Sequence, residues 1–123
     1  MDINAIAFGR TVWTVIAEAT ANTATATKSG IAVASPKPAM RHILTGVSLS
    51  VDRVVSAAAQ LIVKDGTTAI FTYWIPVGFY GPFVVTLNRP YACAQGADAV
   101  AVCATLGTGV KAAITLEGMT VSD

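Results

Sequence analysis

The sequence predicts an all-β protein: a single β-sandwich of jelly-roll type, built from about eight short antiparallel strands. Three observations lead there. Val, Ile and Thr make up close to a third of the 123 residues, and these β-branched side chains suit a pleated surface better than a helix. Apolar and polar residues alternate along several segments, as they do in a strand with one face buried. Turn-forming residues recur roughly every 8–12 positions, the spacing of short strands stacked as two sheets. A closed barrel is the alternative arrangement of the same strands.

The elements follow in order. Residues 11–21 read as a strand, with Val12, Trp13, Val15 and Ile16 among threonines, although Ala17-Glu18-Ala19 tolerates a helical turn. Thr23-Ala-Thr-Ala-Thr27 alternates strictly and makes a strand of small residues. Lys28-Ser29-Gly30 is a turn, and residues 31–34 resume an extended run. Ser35-Pro-Lys-Pro38 is an extended linker, because each proline pushes its predecessor out of the helical region. In the strand over residues 41–51, Ile43, Val47, Leu49 and Val51 alternate with His42, Gly46, Ser48 and Ser50. Leu44 breaks that alternation, which suggests a strand end covered on both faces.

The strongest local signal runs from Gln60 to Ile75. Asp65-Gly66 between two β-rich runs reads as the central pair of a type I′ hairpin turn, and Pro76 ends the second strand. Further strands are expected at residues 83–87, 97–106 and 111–120, punctuated by Gly96, Gly107 and Gly109. Ser56-Ala-Ala-Ala59 is the one place where a short helix competes. No helix longer than about two turns is expected.

The length suits one domain, residues 1–123, with residues 1–10 either an N-terminal arm or the first core strand. The chain is 54% hydrophobic but only 12% charged, where soluble domains average about 25% charged residues. So few charges imply either a neutral Thr/Ser/Ala surface or one partly covered by other subunits. The net charge is +1, with basic residues scattered singly, so the footprint of a nucleic-acid binder is missing. No apolar run reaches the roughly 20 residues of a membrane-spanning helix. The Met-Asp start, broken by Asn4, Gly9 and Arg10, lacks the pattern of a signal peptide. The expected place of synthesis is therefore the cytoplasm.

Catalytic chemistry finds little support. The carboxylates are widely separated, and no phosphate loop, nucleophile elbow or calcium-loop pattern occurs. His42 is the lone histidine and reads as a partly exposed or hydrogen-bonded strand residue. Cys93 and Cys103 are expected as free, core-filling thiols, with a disulfide between neighbouring strands as the other reading. Four Cys/His metal ligands cannot be assembled from this set, so no cofactor is expected and a non-enzymatic role is favoured. Asp65 and Asp98 are accounted for by the turns in which they sit.

One segment does look functional. Val77-Gly-Phe-Tyr-Gly-Pro-Phe83 places Phe79, Tyr80 and Phe83 between glycines and a proline, just after Trp74. Aromatic side chains supply large contact area at low entropic cost and anchor interfaces. A loop folded back to plug the end of the sandwich is the competing reading. Ile3, Ile6 and Phe8 form a second candidate contact, as an arm laid on a neighbour.

From Arg41 to about Gly118 the chain resembles the small β-sandwich head decoration (cement) proteins of tailed bacteriophages. The resemblance rests on Arg41-His-Ile-Leu-Thr-Gly46, Lys64-Asp-Gly-Thr-Thr68, Ile75-Pro76, Gly81-Pro82, Arg89-Pro90 and Gly96-Ala-Asp-Ala99, taken in that order. It implies a virion protein, commonly trimeric, bound outside the shell and bridging subunits of the major capsid protein. A phage tail or fibre component and a jelly-roll carbohydrate-binding module are the alternatives.

Overall fold

A computed structural model describes residues 11–31 and 40–122. Eight strands run β1 (Thr11–Thr20), β2 (Ala24–Lys28), β3 (Met40–Val51), β4 (Ala59–Asp65), β5 (Thr68–Ile75), β6 (Phe83–Ala92), β7 (Ala99–Cys103) and β8 (Lys111–Ser122). They form two four-stranded antiparallel sheets, ordered β1-β8-β3-β6 and β2-β7-β4-β5. This interleaving is the strand order of a jelly roll, in which the chain repeatedly crosses between sheets. The two sheets remain separate, so the barrel alternative is not realised. No helix occurs among the described residues: of Ser56-Ala-Ala-Ala59, where one competed, the first three residues are loop and Ala59 opens β4.

Inward residues of both sheets build one core. The first sheet contributes Trp13, Leu44, Val47, Leu49, Ile114 and Leu116, and the second contributes Leu61, Val63 and Ile75 with the small Ala24, Ala26, Ala99 and Ala101. The Thr-Ala alternation of β2 has the expected consequence: both alanines are buried and both intervening threonines exposed.

Several local expectations are corrected. The break in alternation at Leu44 comes from a β-bulge, not from cover on both faces. Leu44 pairs with Gly118 while Gly46 pairs with Glu117, so Thr45 is an extra residue. His42 and Leu44 point inward before the bulge, and Val47 and Leu49 point inward after it. One inserted residue reverses the parity of a strand. At the hairpin, Asp65 pairs with Thr68, so Gly66-Thr67 is the central pair. Positive φ falls on Gly66 but not on Thr67, the pattern of a type II′ turn instead of type I′. Asp65 does more than shape that turn. Its carboxylate accepts from the Ala94 N–H and the Tyr91 hydroxyl, at 3.1 and 3.2 Å, and so ties the hairpin tip to the opposite sheet.

Strand bounds also move. β6 continues past residue 87 through Arg89 and Pro90, which edge position permits. β7 is shorter than expected, and Ile31 lies outside any strand. Residues 1–10, with Ile3, Ile6 and Phe8, and the linker Ser35-Pro-Lys-Pro38 lie outside the described residues.

Candidate functional site

The antiparallel order gathers four loops at one end of the sandwich: β1–β2, β3–β4, β5–β6 and β7–β8. Backbone hydrogen bonds stitch them together. Ala21 N–H donates to Val110 O, Ser56 N–H to Leu106 O and Val55 N–H to Phe79 O, all within 2.9–3.0 Å. The aromatic segment is the β5–β6 loop of this cluster.

Its conformation follows from local sequence. Pro76 has no N–H for the ladder and stops β5. Phe79 N–H then returns to Pro76 O at 3.2 Å, closing a turn whose third residue, Gly78, has φ 92°. That is a type II turn, which needs a residue tolerant of positive φ there. Gly78 N–H also donates to Val55 O at 2.8 Å, and Val55 N–H donates to Phe79 O. Val55 is buried, so this two-bond clamp fastens the loop to the core.

The clamp sorts the aromatics. Trp74 and Tyr80 face outward with 70% and 65% of their surface exposed, and Val54, Val77 and Val84 are also exposed. Phe79 and Phe83 are half-buried against the core. Phe83 belongs to a row of rings between β5 and β6: Phe83 to Tyr73 at 5.4 Å, Tyr73 to Phe71 at 6.5 Å, and Phe71 to Tyr91 at 6.1 Å. These rings fill the open side where the two edge strands approach. Phe79 and Phe83 thus pack against the core, while Trp74 and Tyr80 lie exposed.

Exposed Val12 and Ile16 on β1 were not singled out from the sequence, although parity carried the signal. With Trp13 and Val15 facing the core, even-numbered positions of β1 must face out.

His42, the two cysteines and Asp52 sit in defined surroundings. His42 is buried rather than partly exposed. Its Nε2 lies 2.7 Å from Ser29 O, and its Nδ1 lies 2.7 Å from Thr120 Oγ1. Thr120 Oγ1 also accepts from Trp13 Nε1–H at 2.9 Å, so each polar atom of this buried group has a partner. Cys93 and Cys103 are free and buried. Burial pushes their thiols up, to about 12 and about 11, away from the thiolate form that reactivity requires. Asp52 is held below the usual carboxylate range, chiefly by the Lys111 backbone N–H. Among the described residues, no group of three or more His, Cys, Asp or Glu is placed to hold a metal ion. Among the same described residues, no helix is long and apolar enough to cross a membrane.

Comparison with known proteins adds little. No family model and no curated protein matches the chain. Among solved structures, a family two carbohydrate esterase from Cellvibrio japonicus is similar at 11% identity and a TM-score of 0.33, over 92% of this chain and 34% of the esterase chain. The chain thus spans about a third of that protein's length, and a likeness this slight carries no argument about function.

Proposed function

We propose that this protein is a capsid decoration protein, one that attaches to the outer surface of a phage head and bridges subunits of the major capsid protein. The observation that carries the reading is the pair Trp74 and Tyr80. Both are largely exposed, Trp74 just before and Tyr80 within a loop fastened to the core through Val55. Pre-ordered aromatic anchors cost little entropy on binding. They stand on a chain with only 12% charged residues, which suits a surface that is covered in use. Weak identical contacts repeated over a lattice then act multivalently. The virion surface is the corresponding location, after synthesis in the host cytoplasm.

A carbohydrate-binding role is the second reading. It draws on the register of the second sheet, where exposed Trp74 stands directly across from Gln60, an aromatic face beside an amide able to hydrogen-bond a sugar.

Labelling this chain on purified virions tests the proposal. A regular array on the head is the expected result. Label on the tail supports a tail or fibre component instead. Absence from virions, with retention on a glycan array that is lost on Trp74→Ser, supports the carbohydrate reading.

A further inference from the structure

Among the described residues the sandwich has four edge strands, and three are guarded against pairing with another chain. β2 has five residues and ends on Lys28. β5 has a register break opposite Val63 and Lys64. β6 carries Arg89 and Pro90 and a register break where it meets β3. Short length, charge, proline and bulges are the usual means of blunting an edge. Of these β1 has only a charge, Glu18, which is paired with Lys111 on β8. Its ten residues pair with β8 in unbroken register from Thr11 to Thr20. On its outward face it presents Val12 and Ile16, 75% and 65% exposed.

We infer that β1 is a self-association edge: two copies of this chain pair β1 to β1 across a two-fold axis. The sequence of the strand selects the register. An antiparallel pair centred on Thr14 sets Val12 of each copy against Ile16 of the other, and Trp13 against Val15. Centring on Val15 would instead set Val12 against Glu18, and centring on Ile16 would set Thr14 against Glu18. The Thr14 register is therefore the one in which the two exposed apolar residues cover each other, and cross-strand apolar pairs are what stabilise such a ladder. The four-stranded sheets then join into one continuous sheet of eight strands. An isologous contact of this kind closes with two copies, so the free protein is a dimer in place of the trimer implied by the resemblance. The inference stands apart from the decoration role, since no readout below involves a capsid.

Sedimentation equilibrium at micromolar concentration should give twice the 12.6 kDa of one chain. V12K/I16K, which opposes like charges at both outer pairs, should give monomers with an unchanged β-sheet circular dichroism spectrum. V12K/I16E sets each introduced lysine against an introduced glutamate and should restore the dimer. T14C lies opposite its own copy in this register, with Cβ atoms roughly 5 Å apart, and should form a covalent dimer on oxidation, whereas T20C should not. If V12K/I16K fails to fold, the T14C and T20C pair decides alone. A wild-type monomer or trimer overturns the inference, as does a dimer that survives V12K/I16K. A monomer whose β1 amides exchange slowly also overturns it, by showing the edge covered within one chain.

Discussion

Trp13 lies across Gly118 on the neighbouring strand. The two are register partners in the β1–β8 ladder, and a Cβ added at Gly118 would collide with the indole ring and with the carbonyl oxygen of Ile43. The ring thus occupies the gap left by a missing side chain, and its Nε1–H reaches Thr120 Oγ1 two residues on.

Gly118→Ala should therefore destabilise the fold, although alanine is the smallest possible change. One of the obstructing atoms is backbone and cannot step aside. Overpacking of this kind costs about 1–3 kcal/mol or more. A denaturant titration reads the effect as a lower midpoint with an unchanged slope.

Thr120 is the hub of the buried polar group. The Ser29 carbonyl only accepts, so His42 Nε2–H donates to it, while Nδ1 meets the Thr120 hydroxyl. Thr120→Val removes the partner of both His42 Nδ1 and Trp13 Nε1. Each buried group left unsatisfied costs about 1–3 kcal/mol. Thr120→Ser keeps the hydroxyl and should recover most of the loss in the same titration.

The two thiols give a pH signature. Both cysteines sit above their ordinary value of 9.0 because burial disfavours the thiolate. The unfolded chain releases these protons first, so their contribution to stability is complete below 9.0. It is lost as pH rises through about 11 for Cys103 and about 12 for Cys93. Denaturant midpoints should fall across that window, less so in a Cys103→Ala variant. At neutral pH a thiol reagent should label neither cysteine in the folded protein and both after unfolding.

The aromatic segment should divide under mutation. Trp74→Ser and Tyr80→Ser remove exposed rings and should change stability by no more than about 0.5 kcal/mol, while weakening attachment to purified heads. Phe79→Ser and Phe83→Ser remove rings packed on the core. Each should lose a good part of the ~3–5 kcal/mol that deleting a fully buried aromatic costs. Melting temperature and occupancy on heads, measured for all four variants, separate anchors from plugs.

Much of the fold was legible in the sequence because its determinants are local. Stiff β-branched side chains and period-2 alternation placed β1, β2, β3 and β8 within a few residues of their observed bounds. Pro76 ended β5 because a proline cannot donate to the ladder. What sequence could not supply depends on contacts between residues distant along the chain. The bulge at Thr45 inverts the parity of β3, and it is visible only once Leu44 and Gly46 are set against Gly118 and Glu117. Asp65 looked like a turn residue, yet its partners are Tyr91 and Ala94 on the far side of the fold. Composition singled out Trp74, Phe79, Tyr80 and Phe83 as a group. Burial against the core, set by the Val55 clamp and the packing of β5 beside β6, decided which of them face outward.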